Sequence, residues 1–296
     1  MSYFNIDNLY KNQDILKFKE CYAMEKVHGT SAHITFKSGR LSFFSGGSSH
    51  EEFIKNFDQN LLTQMFSTMA LEDTSITIYG EACGGRLQGM SHTYGDKLMF
   101  IAFEVKIGDK WLNVPTAEKI VFNLGLEFMP YKLISTKLED IDRERDAPSE
   151  VAIRRGCGNN VGRNGITPPI REGVVLRPLE EYTKNNGERI IAKHKRDEFM
   201  ETNTPRKVIS PDQMKSLEDA KAIANEWVVP ERLNHILTSG VIEAKIENTG
   251  KIIQLMIEDV LKESKGEIID SPGARKEIGR LTALMFKESL KGSLNQ

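Results

Sequence analysis

Apolar positions recur along this chain in two rhythms. In the first part they form short runs rich in β-branched and aromatic residues, many alternating with polar ones: "YAMEKV", "SAHITF", "RLSFFSG", "SITIYGEA", "KLMFIAFEVKI", "KWLNV", "EGVVLRPL" and "RIIAKHK". Such runs predict strands, and "KSGR" and "KIGDK" supply turn residues between them. Two helices are expected among the strands. One lies in "HEEFIKNFDQNLLTQMFSTMA", where Phe53, Phe57, Leu61, Leu62 and Met65 recur at helical spacing. The other lies in "TAEKIVFNLGL", with Thr116 as its cap. The Gly-, Asn- and Arg-rich segment Arg154 to Gly165 predicts a loop.

Beyond Arg206 the rhythm becomes helical. "SPDQMKSLEDAKAIANEWV" opens with Ser210 at a cap, Pro211 at the first helical position and Gln213 completing a capping box. "VPERLNHILTSG" starts on a proline and stops at Gly240, "ENTGKIIQLMIEDVLKES" is amphipathic, and "SPGARKEIGRLTALMFKESLKG" runs from a Ser271-Pro272 cap to Gly292. The expected organisation is therefore an α+β domain over residues 1–205 and a small all-helical C-terminal domain over 206–296, with no internal repeat.

Composition narrows the class. The chain has 296 residues, 39% hydrophobic and 28% charged, which suits a globular protein with a core. No apolar run approaches the roughly 18 residues that span a bilayer, and the opening "MSYFNIDNLYKNQD" lacks a basic-then-apolar signal pattern. A cytoplasmic protein without membrane contact is expected, and a monomer. Cys21, Cys83 and Cys157 are scattered and odd in number, which argues against a zinc site or a disulfide framework. The net charge of −2 argues against a surface that grips nucleic acid as a whole. Any such contact is a local patch, and Lys184 to Lys207, with Arg189, Lys193, Lys195, Arg196 and Arg206 among acids, is a candidate.

The candidate chemistry centres on "MEKVHGTSAHITF", where Lys26 stands between two apolar-leaning runs, just before His28-Gly29. Lys26 is either a hairpin-turn residue or a nucleophile. A lysine amine attacks phosphorus only when deprotonated, so a nucleophile needs activation and needs cations or metal to spread the developing charge. Suitable parts follow in order: Glu81 in "YGEACGG", Phe103 in "KLMFIAFEV" (with Phe100 competing), Glu172 in "REGVVLRP", and Lys193 and Lys195 in "AKHK". The two lysines are spaced to share one face of a strand. Arg171 and Arg177 flank the fourth motif as phosphate contacts or solvated strand-end residues.

Lys, Glu, aromatic, Glu and Lys-x-Lys in this order resemble the covalent nucleotidyltransferase superfamily of ATP-dependent ligases and RNA capping enzymes. Within it, "EKVHGT" resembles the first motif of the RNA ligase 2-like family, where His-Gly follows the lysine; DNA ligases usually show Asp-Gly there. The motifs cover residues 25 to 195. The resemblance implies a mixed antiparallel-sheet nucleotidyltransferase (ATP-grasp-like ligase) domain. It implies an ATP-dependent RNA ligase that carries AMP on Lys26, passes it to an RNA 5′-phosphate and seals that end to a 3′-hydroxyl, with a nick in duplex RNA as the expected substrate. It further implies that Glu25 meets the adenine amine, Glu81 the ribose hydroxyls and Phe103 the adenine face. His28 shapes the turn and serves a later step. Glu172 acts on the side of the Mg²⁺ (or Mn²⁺) ion, and Lys193 and Lys195 contact the α-phosphate and favour neutral Lys26.

The chain departs from the family pattern at Ser31, where Asn is usual, and at "FFSGG", where an arginine is usual and the nearest is Arg40. DNA ligases and capping enzymes add a β-barrel after the last motif, whose short alternating strands are missing from this sequence. The helical pattern instead matches RNA ligase 2 relatives. Basic residues there, such as Lys245, Lys251, Lys262, Arg275, Lys276 and Arg280, are candidates for RNA contact or for solvated helix faces. The alternatives are a small DNA ligase, a capping-type nucleotidyltransferase, or a non-catalytic RNA end-binding protein of the same fold.

Overall fold

The computed structural model describes residues 3–69, 74–161, 165–201 and 219–293. The chain divides into two compact units between Arg196 and Asp197. The expected boundary at 205/206, Arg206 and the Ser210-Pro211-Gln213 cap lie outside the described residues.

The first unit holds two antiparallel sheets. One runs β7-β1-β8-β9, from β1 (Glu20–Lys26), β7 (Tyr131–Ser135), β8 (Gly173–Arg177) and β9 (Ala192–Lys195). The other runs β3-β2-β4-β5-β6, from β2 (Thr30–Lys37), β3 (Arg40–Ser45), β4 (Ile76–Cys83), β5 (Met99–Ile107) and β6 (Lys110–Trp111). β1 and β2 are consecutive yet belong to different sheets, so Lys26 ends a strand at a crossing and is not a hairpin-turn residue. The N-terminal segment extends the first sheet: Lys193 N–H donates to Asp7 O (2.9 Å), and Leu9 N–H donates to Lys193 O (2.8 Å).

Alternation gives the second sheet two unlike faces. Ala32, Ile34, Phe36, Ile76, Ile78 and Ala82 are buried on one. α1 (His50–Ile54) and α2 (Gln59–Met69) cover part of it, with Phe66 stacked on Phe36 at 5.3 Å and Phe53 edge-on to Phe100 at 5.8 Å. The other face carries Ser31, His33, Tyr79 and Glu81, all half-buried. Between β4 and β5 the register slips, pairing Tyr79 with Glu104 and Gly80 with Ala102, which leaves Phe103 without a partner across the ladder.

Several elements differ from expectation. The single helix after His50 is two, because Lys55 to Asp58 break it and Asp58 Oδ1 caps the second by accepting from Leu61 N–H (3.0 Å). The strand "KWLNV" ends at Trp111, and Asn113, not Thr116, caps α4 (Val114–Asn123), accepting from Thr116 N–H at 3.1 Å. β7, α5 (Leu138–Arg145) and α6 (Glu150–Arg154) were not expected. α5 buries only Ile141 and α6 is a five-residue helix, so neither carries a legible apolar stripe. α3 (Ser91–Tyr94) is a single turn that buries Tyr94.

Arg171 and Arg177 are neither solvated nor free for phosphates. Arg177 Nη2 lies 3.0 Å from Glu104 Oε1, and that fully buried carboxylate also meets Arg189 and Tyr3. Burial alone would raise the Glu104 carboxyl, but Arg177 and Arg189 hold it below the usual range. Such a cluster survives burial because every charge is paired and hydrogen-bonded.

The second unit packs α7 (Ala220–Trp227), α8 (Pro230–Thr238), α9 (Thr249–Glu263) and α10 (Pro272–Ser293) around Trp227, Ile252, Met256, Val260, Ile278 and Phe286. Asp219 caps α7 by accepting from Ala222 N–H (2.8 Å), and Ser271 caps α10 by accepting from Ala274 N–H (3.1 Å). Arg232 is buried, donating to Trp227 O (3.0 Å) and pairing with Asp259. No helix among the described residues is long and apolar enough to cross a membrane.

Ile34 is fully buried at the centre of the covered face. Ile34→Ala is expected to cost about 2–5 kcal/mol, as large-to-small changes in packed cores do; urea unfolding measures it.

Candidate active site

Three strand ends bring the site together. Lys26 closes β1, Glu172 immediately precedes β8, and Lys195 closes β9. The register pairs Lys26 with Gly173 and Gly173 with Lys195, so their backbones lie side by side. Lys26 Nζ donates to Glu172 Oε2 at 3.0 Å, and Lys195 Nζ lies 3.0 Å from the other oxygen, Oε1. His28 Nδ1 lies 3.4 Å from Oε2. Burial alone would raise the Glu172 carboxyl, but the charges of Lys26 and Lys195 hold it well below the usual carboxylate range.

The turn after Lys26 is fixed from two sides. His28 N–H donates to the hydroxyl of buried Tyr94 (3.2 Å), and Gly29 N–H donates to Glu81 Oε1 (3.1 Å). A Cβ on Gly29 would stand 2.3 Å from Ala82 O and 2.9 Å from Glu81 Cγ, so only glycine allows the turn this close to β4. Burial pushes the Glu81 carboxyl up to about 7; Lys26 opposes that rise and Glu172 adds to it. The two carboxylates nearest Lys26 are thus driven apart, one kept ionised and one brought near neutrality.

The other expected residues have different surroundings. Lys193 shares a strand with Lys195, but its amine lies 3.2 Å from Asn5 Oδ1. Phe103 meets Tyr3 edge-on, ring centroids 5.0 Å apart. The N-terminal segment therefore reaches two residues assigned to nucleotide contact, which nothing in its sequence announced. Glu25 is buried on the side of β1 away from Lys26. It accepts from Ser149 Oγ (2.6 Å) and from the N–H groups of Glu150 (2.9 Å) and Val151 (3.3 Å), which commits it to the start of α6. Arg40 is exposed at the end of the β2–β3 pair opposite Thr30, outside the site. Ser31 pairs with Glu81 across β2 and β4. Tyr94, a residue the sequence did not single out, belongs to the site through His28.

Among the described residues no group of three His, Cys, Asp or Glu side chains could hold a metal ion. Glu81 and Glu172 do offer carboxylate oxygens beside Lys26, which suits a hard cation that takes its remaining ligands from phosphate and water.

A model of the RNA ligase family matches residues 19–195. No curated protein matches the chain. Among solved structures, Naegleria gruberi RNA ligase shares the fold. Its lysine-to-alanine variant with ATP and Mn has a TM-score of 0.51 at 14% identity, covering 67% of this chain and 57% of that one. The lysine-to-methionine variant with AMP and Mn gives 0.51 at 14% identity, covering 67% and 57%. The chain thus spans just over half the length of those ligases, and at this identity the likeness is one of fold.

The raised Glu81 carboxyl has a sign that can be checked. A group protonated more readily when folded than when unfolded makes stability fall as pH rises. For Glu81 that window lies between about pH 4.5 and 7. Glu81→Gln is expected to remove this loss, so the stability of the variant relative to the parent should climb across that window in thermal unfolding and level off above it.

Proposed function

Because the chain belongs to the RNA ligase family, we propose that it is an ATP-dependent RNA ligase joining a 5′-phosphate to a 3′-hydroxyl through AMP carried on Lys26. One observation carries this reading most: Lys26 and Lys195 each hold one oxygen of the same buried carboxylate, Glu172. An amine, a second cation and an anion gathered in this way support attack on the α-phosphorus of a triphosphate.

In the first step the Lys26 amine, having released its proton, attacks the α-phosphorus of ATP. The P–O bond to pyrophosphate breaks and a P–N bond forms, leaving AMP on Nζ. In the second step an RNA 5′-phosphate oxygen attacks that phosphorus, breaks the P–N bond and returns the amine to Lys26. In the third, the 3′-hydroxyl attacks the RNA phosphorus and AMP leaves. Lys195 and Lys193 face charge that builds on the α-phosphate, where fixed cations in a dry site count most. Glu172 holds the Lys26 chain in place and would, with its charge, help hold a divalent ion. That ion, Mg²⁺ or Mn²⁺, would polarise the phosphate oxygens from a position beside Glu172 and Glu81. His28, in contact with both Glu172 and Tyr94, keeps the turn aligned and is assigned to the later steps. Phe103 is assigned to the adenine face and Glu81 to the ribose. Glu25 acts from beneath, by anchoring α6 behind β1. The expected substrate is a nicked RNA duplex, handled by a cytoplasmic monomer.

The test is incubation with Mg²⁺ and ATP labelled at the α-phosphate, followed by mass spectrometry. One AMP is expected on the Lys26 peptide, absent in Lys26→Ala and absent when GTP replaces ATP. Lys195→Ala should lower the rate of adduct formation by roughly 10²–10³-fold, the usual loss of a transition-state charge partner. No adduct on folded protein, with pyrophosphate removed, would overturn the assignment in favour of a binding protein of this fold. A guanylyl adduct would point to a capping-type enzyme, and sealing of DNA in preference to RNA to a DNA ligase.

A further inference from the structure

The outer face of α10 carries charge of a single sign. At 3.6 residues per turn, Lys276, Arg280, Leu284, Lys287 and Lys291 fall within an arc of about 80°. All five are exposed, while Ala274, Ile278, Thr282 and Phe286 of the same helix are buried in the core. Among the described residues, Lys276, Lys287 and Lys291 have no carboxylate within ion-pair distance, and Arg280 pairs with Glu277 at 2.8 Å on one flank, where Glu288 also lies.

The rest of the unit does not repeat this pattern. Lys245 is paired with Glu243 (2.6 Å) and Arg275 with Asp270 (2.7 Å). The outer face of α9 mixes Lys251 and Lys262 with Gln254 and Glu258, and α8 exposes Glu231, Asn234 and His235. Among the described residues Lys221, Lys251, Lys262 and Lys265 are exposed cations as well, but they are spread over other segments, whereas α10 brings four cations into one arc that holds no acid.

We propose that this α10 stripe is the surface by which the helical unit holds the phosphate backbone of duplex RNA, an inference that rests on the RNA ligase reading. From Lys276 to Lys291 the stripe is about 22 Å long, and a duplex presents roughly one charge per 1.7 Å of its axis. A duplex therefore presents negative charge along the whole length of the stripe whatever its sequence, as an enzyme that seals breaks in arbitrary sequence requires. The stripe has no aromatic side chain on which an unpaired base could stack, which separates it from single-strand platforms. Leu284 is its lone large apolar residue and no tryptophan or tyrosine anchors it, unlike the centre of a protein–protein interface.

The experiment compares the full chain with two fourfold variants in binding nicked duplex RNA over a range of salt. One variant removes the stripe (Lys276→Ala, Arg280→Ala, Lys287→Ala, Lys291→Ala). The other removes equal charge elsewhere on the unit (Lys221→Ala, Lys251→Ala, Lys262→Ala, Lys265→Ala). Circular dichroism checks helix content, and adduct formation on Lys26 from ATP alone is measured in parallel. The stripe variant should bind at least tenfold more weakly at low salt. Its log–log salt slope should become shallower by roughly 2–4, at about 0.9 per lost phosphate contact. Adduct formation should stay within twofold, and the second variant should bind like the parent. Unchanged binding by the stripe variant, an equal loss in the second variant, or no duplex binding by the parent would overturn the proposal. Absence of the adduct in the parent would count against the ligase reading, not against the stripe, because binding is read without ATP.

Discussion

The first unit is organised around one buried carboxylate. Glu172 lies between Lys26 and Lys195, with one oxygen on each, and is 2% exposed. An isolated carboxylate in that position would neutralise itself by taking a proton; two ammonium groups keep it charged. The converse holds as well. Lys26 and Lys195 flank β8 from the strands on either side of it and repel one another, and Glu172 stands between them as the anion that offsets this. The same contact that makes the sheet edge stable also fixes three charged groups around one point.

Behind the site, other ion clusters keep its frame stiff. Arg171, next to Glu172 in sequence, is buried among Pro148 O, Glu144 and Glu150, and lies 3.9 Å from Glu25, which in turn anchors α6. Glu104, Arg177, Arg189 and Glu181 form a second cluster along β5 and β8. Neutral side chains could fill both places with less desolvation. What the charges add is direction, because each carboxylate accepts from fixed donors and so sets the position of the residue beside it. Arg171 and Arg177 bracket β8, and the strand that presents Glu172 is held at both ends.

Legibility in the sequence followed the range of the interaction that fixes each residue. Lys26, Glu172 and Lys195 could be singled out because charged residues follow one another in a set order beside short apolar runs, and each of those runs is a local feature. The fold class and the helical character of the C-terminal unit were readable for the same reason, since apolar period and caps are local. The placement of β1 and β2 in different sheets was not, since each run looks the same in a hairpin as at a crossing. Nor was the partner of Glu25, Ser149, which lies 124 residues away in the chain. The approach of Asn5 to Lys193 and of Tyr3 to Phe103 depends on a segment with no strand rhythm, held by hydrogen bonds to β9 and by the contacts of Tyr3 with Glu104 and Trp111. α5 was missed because a helix that buries one residue leaves no stripe to find.

Net charge, too, has to be read through the fold. A chain at −2 has, taken as a whole, no attraction for a polyanion. Yet a charge acts at a distance only when no opposite charge stands beside it. Arg171, Arg177, Arg189 and Arg232 are all buried against carboxylates, so each cancels an acid that the total also counts. Removing such internal pairs from the sum leaves the net charge unchanged but alters its meaning, since what remains is the surface population and its arrangement. On the helical unit that population is unevenly arranged, with four cations in one arc of α10 and mixed or acidic faces on α8 and α9. A polyanion at contact distance, within the roughly 8–10 Å over which salt leaves charges visible, meets that local face rather than the total. The capacity of an acidic protein to hold RNA is therefore set by which cations the fold leaves unpaired, a property that belongs to structure and not to composition.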